Sequence, residues 1–488
     1  MVPQGMDIGT ARSGTLSRAT KLFYGLGEAG EGVKTAALEI FLFFYYVQVV
    51  GLSGTLTGIA LFIALLVDGI TDPWVGGWSD RTRTRFGRRH PFLYAAPVPL
   101  AAALLGLFMP PTMWSQIGLF VWLTGFAIAA RVAMTLYFIP HMALGAELSH
   151  DFHERVSIGG YRVFFGYIGR IIALGLAFSV FFVASNAYPN GQLNPAAYPI
   201  FALTCGGLVI LFVITSALGT QRLAMRLPDV PAAEGLARQP SFAGTITNAA
   251  ISPSFRALFI ALLIMYTYNG VQGALALHMN TYYWLLTPTQ IQFVFYATLL
   301  GYLIGIPVAR PLANRIDKKA AYMWGIAGSC ISGSTPTILS LLGLFPSADN
   351  PATFPLLVLS GFLVGSIGTI PVVLAAAMLA DVADEYEDRH EGRFEGLFFG
   401  ANAFCRKASL GLGGAAAGIV IDLIRFPVKA EPGTVPDEAL IRLAITYGPV
   451  MLLVLLAGLA MMIPYDLSRT RHADILKRIE ARRAGSGG

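Results

Sequence analysis

Charged side chains are scarce in this chain. They make up 13% of its 488 residues, whereas 55% of the residues are hydrophobic and the mean hydropathy is +0.62. Soluble globular domains carry roughly 25% charged residues. The composition therefore excludes an ordinary soluble protein and indicates a protein embedded in a membrane.

Cysteine is also rare. The three cysteines, Cys205, Cys330 and Cys405, lie in apolar segments and lack the paired spacing of metal ligands. We expect them to be small packing residues. The chain also has no recognisable spacing of a nucleophile and a general base, so we expect neither enzyme activity nor a bound cofactor.

Short alternating strands are absent, and the apolar runs are long. Most contain about 20 residues or more, enough for an α-helix to cross a hydrocarbon core of about 30 Å. The apolar runs predict twelve membrane helices, at residues 22–50, 57–78, 91–112, 116–147, 156–185, 198–220, 256–286, 289–312, 319–345, 353–385, 395–424 and 438–463.

The net charge of +6 comes from arginines and lysines in alternate loops. Basic clusters follow the second and eighth predicted helices and fill the C-terminal tail. The loops that alternate with the basic ones along the chain are nearly uncharged, apart from residues 425–438. This asymmetry is typical of the positive-inside rule. It predicts both termini in the cytoplasm, a bacterial-type inner membrane location, the lipid bilayer as partner and no nucleic-acid partner.

A polar segment with several prolines divides the predicted helices into six plus six. The resulting organisation is an N-terminal tail 1–21, a six-helix bundle 22–221, a linker 222–255, a second six-helix bundle 256–463 and a C-terminal tail 464–488. Basic loops at matching positions of the halves indicate an internal repeat. The prediction is an all-α membrane protein of the major facilitator fold, whose substrate site lies between the halves.

Two aspartates lie inside the second apolar run. Asp68 and Asp72 are four residues apart and therefore share one helix face. An ionised carboxylate at membrane depth is costly, and two adjacent carboxylates in a low dielectric need a counter-charge. A bound Na⁺ or a shared proton would supply it. The alternative interpretation is that Asp72 pairs with a loop arginine to close a gate.

Several ordered motifs carry a family resemblance. They are Asp-x-x-x-Asp-Pro at 68–73 with Gly-Arg-Arg-x-Pro at 87–91, Tyr45-Tyr46, Ile139-Pro140, Tyr161-Arg162, and the run 378–384 followed by Lys407. The chain resembles the glycoside-pentoside-hexuronide cation symporters, of which melibiose permease is a member, over most of its length. Vertebrate sodium-coupled lysophosphatidylcholine transporters share these features, so the resemblance leaves the substrate open.

The resemblance implies a cation site at Asp68, Thr71, Asp72 and Thr135. All four are oxygen donors, which hard cations such as Na⁺ prefer. Asp68 and Asp72 would be the metal ligands if the ion is sodium, but a proton is equally compatible.

A gate is implied next to this site. Its residues match the loop motif of major facilitators at the cytoplasmic end of the second helix, and they are Asp80, Arg81, Gly87, Arg88 and Arg89. The acidic stretch 381–389 is interpreted as a solvated gate that pairs with basic loops.

The resemblance also implies a substrate site at Arg162 and Lys407. Each of them either contacts the substrate or balances the charge of buried aspartates. Gly32 and Phe138 stand where the family has sugar-binding aspartates. Loss of two carboxylates leaves a more positive cavity, and Arg pairs well with carboxylate, sulfonate or phosphate. We therefore expect an anionic substrate.

Other polar residues in apolar runs are further candidates. Glu39 is too deep for a helix entrance and is a candidate for the cavity, with Arg131 as an alternative partner. His141 is either a ligand or a core residue. Asn269 and Gln272 lie inside the seventh predicted helix.

Together these features predict a monomeric, cation-coupled symporter driven by Na⁺ or H⁺. Its cargo would be a small anionic glycoside or a sugar-acid-like solute, imported by alternating access. The alternative is a cation-coupled lysolipid transporter of the same fold, whose cargo enters from the bilayer. Phe138 in place of an aspartate permits that alternative.

Overall fold

A computed structural model describes residues 16–149, 151–225, 252–390 and 395–485, and these residues form helices and no strands. The long helices α1 to α13 are Arg18–Val50, Gly54–Arg81, His90–Leu107, Gln116–Glu147, His153–Phe181, Ala197–Ala224, Pro253–Tyr283, Pro288–Ile316, Lys318–Leu341, Thr353–His390, Glu395–Leu423, Asp437–Met461 and Arg469–Gly485. Most of the predicted linker and of the N-terminal tail lies outside the described residues.

Eleven of the described helices are long and apolar enough to cross a membrane. Helix α9 is less hydrophobic than these eleven, because small polar residues occupy the middle of its sequence. Two hydrogen bonds join α9 to α10: Ser329 Oγ of α9 donates to the Val364 backbone oxygen at 3.4 Å, and Ser360 Oγ of α10 donates to the Ser332 backbone oxygen at 2.7 Å. The all-helical membrane fold is confirmed, and the twelfth span stays a prediction.

Helix α1 contains two segments of wider π-type turns, Ala37–Phe41 and Tyr45–Val50. The first segment includes Glu39. Such turns are rare and occur often at functional sites, since they change the direction in which a helix presents its side chains. Their position in α1 therefore indicates a functional role for the region of Glu39.

Glycines allow α1 and α5 to approach closely. A Cβ atom at Gly32 would lie 2.1 Å from the Gly166 oxygen, and one at Gly169 would lie 2.0 Å from the Ala29 oxygen. Small residues at helix crossings are typical of membrane bundles. The prediction that Gly32 borders the substrate site is therefore wrong in this structure, because α5 covers that position.

The two halves contact each other at the end of the bundle that has few charges, here called the opposite face. Asp422 on α11 accepts hydrogen bonds from Ser53 Oγ at 2.9 Å, Gly54 N at 2.9 Å and Thr55 N at 2.8 Å. These donors form the N-terminus of α2, where a carboxylate is favoured by the helix dipole. Gln48 Oε1 accepts from Tyr282 Oη of the second half at 3.2 Å.

The other end, here called the basic face, carries the loop 82–89 and Lys318. Two of its ion pairs each lie within one half: Arg88 lies 3.1 Å from Glu147, and Lys318 lies 2.7 Å from Asp381. The hydrogen bonds of Asp422 and Gln48 hold the two halves together at the opposite face.

The predicted C-terminal tail includes the folded helix α13, which docks on α10. Arg471 lies 3.1 Å from Glu385, His472 lies 2.9 Å from Asp384, and Arg478 lies 2.7 Å from Asp388. Glu385 is only 3% exposed. The acidic stretch is thus partly buried and pairs with α13 as well as with Lys318, which corrects the interpretation of a solvated gate.

The close crossing of α1 and α5 can be tested by adding one methyl group. Gly169→Ala places a Cβ against α1 and should lower the unfolding temperature in detergent, since overpacking costs about 1–3 kcal/mol. Gly160→Ala is the matched control, because its Cβ meets nothing within 4 Å and alanine favours the helix. Equal stability of the two variants would argue against this packing.

Candidate cation and substrate site

Lys407 of α11 lies between the two aspartates of α2. Its Nζ is 2.9 Å from Asp68 Oδ2 and 2.5 Å from Asp72 Oδ2. The ammonium supplies the counter-charge that two adjacent carboxylates need in a low dielectric. Because α2 and α11 belong to different halves, this ion pair also joins the halves. Of the two alternatives for Lys407, the structure shows charge balance.

Helix α4 completes the cluster. The Thr135 hydroxyl lies 2.8 Å from Asp68 Oδ1 and 3.1 Å from Asp72 Oδ1. Arg131, one turn earlier, lies 3.5 Å from Asp68 Oδ2. Asp68 is 8% exposed and Thr135 is 2% exposed, so these contacts are shielded from solvent. The structure brings together Asp68, Asp72 and Thr135.

The Thr71 side chain forms a hydrogen bond within its own helix. Its hydroxyl donates to the Asp68 backbone oxygen at 3.2 Å. In this conformation Thr71 therefore supplies no oxygen to the cluster, and its role as a cation ligand stays a prediction.

A cavity of about 110 Å³ adjoins the cluster. The charges of its described lining residues balance, with four acidic and four basic side chains: Glu31, Glu39, Asp68, Asp72, Lys34, Arg131, Arg406 and Lys407. Lys34 Nζ pairs with Glu31 Oε1 at 3.1 Å. Arg406 has no carboxylate partner among the described residues, and Phe138 also lines this cavity as expected. Arg406 was not predicted from the sequence, where only its neighbour Lys407 matched a family motif.

Arg162 and His141 lie away from this cavity. Arg162 Nε is 3.9 Å from Glu28 Oε2, and its guanidinium contacts Met142. The buried His141 ring lies between Tyr24 and Tyr137, at centroid distances of 4.3 and 5.0 Å. The structure favours the core alternative for His141, and it does not bring Arg162 near Lys407.

Glu39 lines the cavity, as the first of its two interpretations has it. Arg170 Nη2 lies 3.9 Å from Glu39 Oε2, whereas Arg131 faces Asp68. The structure does not favour the alternative pairing with Arg131, because that residue lies one turn from Thr135, on the face of α4 that is directed at α2. Arg170 was missed, although an arginine inside an apolar helix is a signal in itself.

A second cavity, of about 450 Å³, lies mainly within the second half. Asn269, Gln272 and Tyr302 are among its lining residues. Glu39 and Leu410 line both cavities, so the two adjoin.

The predicted gate residues form a network at the basic face. Arg89 Nη2 lies 2.6 Å from Asp80 Oδ1 and 2.7 Å from Glu147 Oε1, and Arg89 also contacts Ser79. Gly87 has a φ of +88°, a conformation that favours glycine. Arg81 is exposed at the end of α2. Glu147 of α4 is the partner that the loop motif alone did not identify.

Comparison with known proteins identifies the family. A family model described as "MFS/sugar transport protein" matches residues 23–469. The chain belongs to this family. Its members and its structural neighbours are transporters of the major facilitator class, so the chain is a multi-pass membrane transporter and not an enzyme.

Relatives and solved structures agree with this assignment. The chain is 26% identical over 475 residues to the putative glycoside/cation symporter YagG of Escherichia coli, covering 97% of each chain. It is 24% identical over 495 residues to the sodium-dependent lysophosphatidylcholine symporter 1 of Gallus gallus, covering 95% of this chain and 89% of the relative. The inward-open xylose transporter XylE of E. coli shares the fold, with a TM-score of 0.60, 14% identity and coverage of 94% and 98%. The predicted resemblance and fold are confirmed.

Removal of the Lys407 ammonium should destabilise this MFS transporter. Lys407→Met leaves two carboxylates without their counter-charge, and breaking a buried ion pair in this way costs about 3–5 kcal/mol. The unfolding temperature in sodium-free detergent solution should therefore fall clearly below that of the wild type.

The matched control is Arg442→Met, which removes an exposed pair with Glu438 on α12. Exposed pairs of this kind contribute about 0.3–0.5 kcal/mol. If both variants unfold at the same temperature, the ion pair of Lys407 does not stabilise the fold.

Proposed function

We propose that this MFS transporter is a cation-coupled symporter that imports a small anionic glycoside or sugar-acid-like solute. The observation that carries the proposal is the group of Asp68, Asp72 and Thr135, with Lys407 of the other half bound to both carboxylates. The names of YagG and of the chicken symporter, which both include cation coupling, support it. The ion is Na⁺ or H⁺, and no further cofactor takes part.

The cation would bind where the ammonium of Lys407 now lies. One oxygen of Asp68 and one of Asp72 converge on Nζ within 2.9 Å, and the Thr135 hydroxyl is adjacent to both residues. Oxygen donors that converge in this way suit Na⁺, and protonation would also reduce their charge. In either case Lys407 is released from α2, so the halves lose their ionic link at this level.

The released Lys407 provides the coupling step. It lies next to Arg406, which has no carboxylate partner among the described residues, and both line the smaller cavity. Two adjacent cations favour a carboxylate, sulfonate or phosphate. Cation binding at the aspartates would thus raise the affinity for an anionic solute, as reciprocal coupling between two sites requires.

The basic face is assigned to the cytoplasm by the positive-inside rule. In that orientation both termini are cytoplasmic, and the hydrogen bonds of Asp422 to the N-terminus of α2 hold the halves together on the extracellular side. Alternation between this arrangement and one sealed at the basic face would carry the solute inward. The proposal includes a monomeric transporter in the cell membrane.

A lysolipid is the second candidate cargo. The chicken lysophosphatidylcholine symporter resembles this chain over nearly its full length, and Phe138 gives the smaller cavity an apolar wall. The headgroup phosphate of the lysolipid would bind the same cationic side chains, Arg406 and Lys407.

Cation coupling is tested with Asp68→Asn and Asp72→Asn in proteoliposomes. Each change removes a charge that holds the cation, so uptake driven by a Na⁺ or pH gradient should be lost, together with any stabilisation of the purified protein by Na⁺. Asp437→Asn, at the exposed start of α12, should behave as wild type. Full gradient-driven uptake by the double variant would refute the proposal.

The charge of the cargo is tested with Arg406→Gln. Glucuronides should compete with uptake at least about tenfold less well in this variant, since a hydrogen bond to a charged group is worth about 1.5–3 kcal/mol. Matched neutral glucosides should be unaffected, and Arg310→Gln on the exposed side of α8 is the control. Competition by lysophosphatidylcholine but not by glucuronides would favour the second candidate.

A further inference from the structure

The larger cavity is built almost entirely by the second half. Residues of α7 to α12 and the adjoining segments line it, and Glu39 is the first-half residue among them. Its volume of about 450 Å³ lies in the usual range for small-molecule sites, roughly 300–1,000 Å³. The cavity is therefore large enough for a sugar ring.

Two amide side chains on one face of α7 line this cavity with unused hydrogen-bonding capacity. Gln272 Nε2 donates to Tyr268 Oη at 3.2 Å and to Tyr447 O at 3.1 Å, whereas its buried Oε1 accepts no hydrogen bond from the described residues. Asn269, three residues earlier, makes no side-chain hydrogen bond to them. A ligand with hydroxyl groups would use these donors and acceptors.

The other residues that line the larger cavity indicate which class of ligand it can bind. Trp284, Tyr302 and Tyr447 supply aromatic rings, and no Lys or Arg is among the described residues that line this cavity. An isolated anion is therefore disfavoured here. An acyl chain is disfavoured too, because it would leave the buried Oε1 of Gln272 unpaired. Amides combined with aromatic faces suit an uncharged ring that has hydroxyl groups on its edge and C–H groups on its face.

The charged groups lie in the adjoining cavity. Glu39 and Leu410 line both spaces, and Arg406 and Lys407 line the smaller one. We propose that the uncharged sugar ring of the substrate binds in the larger cavity, held by Asn269 and Gln272, with its acidic group directed past Glu39 to Arg406. This assignment deepens the proposed symport function and rests on it.

The division of the substrate between two cavities can be tested by direct binding. Purified full-length protein is titrated with a panel of 4-nitrophenyl glucuronides and the matching 4-nitrophenyl glucosides, in saturating Na⁺. Gln272→Met and Asn269→Leu remove the amides at similar size, so each should weaken binding of both members of a pair about tenfold. Arg406→Gln should weaken binding of the glucuronide alone.

Two controls separate a local effect from misfolding. Each variant should retain the thermal stabilisation by Na⁺ that wild type shows, and Asn314→Leu, at the exposed basic end of α8, should bind as wild type. If Gln272→Met and Asn269→Leu both bind the glucosides and glucuronides with wild-type affinity, the ring site is refuted and the symport proposal stands. If wild type binds lysophosphatidylcholine and no member of the panel, both are refuted.

Discussion

The ion pair between Lys407 and the two aspartates of α2 is the constraint on which the site depends. Asp68 and Asp72 cannot both stay ionised at membrane depth without a counter-charge, and the chain supplies it from α11. The same contact therefore satisfies the electrostatics of one half and ties it to the other. Any cation that takes over the carboxylates also changes how the halves are joined.

The same two helices meet again at the opposite face. There Asp422 of α11 accepts hydrogen bonds from the first residues of α2, and glycines bring the backbones close, since a Cβ at Gly418 would lie 2.0 Å from the Gly54 oxygen. This second contact needs no mobile cation, because a carboxylate at a helix N-terminus is favoured by the backbone itself. Loss of the Lys407 contact would thus leave the Asp422 contact in place, so opening of the opposite face requires a separate step that breaks it.

Patterns within single segments predicted much of this structure. The spacing of Asp68 and Asp72 placed both carboxylates on one face, and the apolar runs located the membrane helices with only their ends shifted. Residues whose role depends on the neighbouring helix were not predictable in this way. Gly32 is covered by α5, His141 stacks between two tyrosines, and Glu39 meets Arg170 because of how α1 and α5 pack. No periodicity within one helix reveals which helix lies beside it.

The charge balance of the smaller cavity gives the proposed coupling a physical reason. The described residues of its lining supply four carboxylates and four cations, so a monovalent cation or proton that binds Asp68 and Asp72 would leave this set with one excess positive charge. That excess is expensive in a low dielectric. A solute with a single negative charge would restore neutrality, whereas a neutral sugar would not. On this argument, an anionic cargo follows from the lining as a whole and not from Arg406 alone.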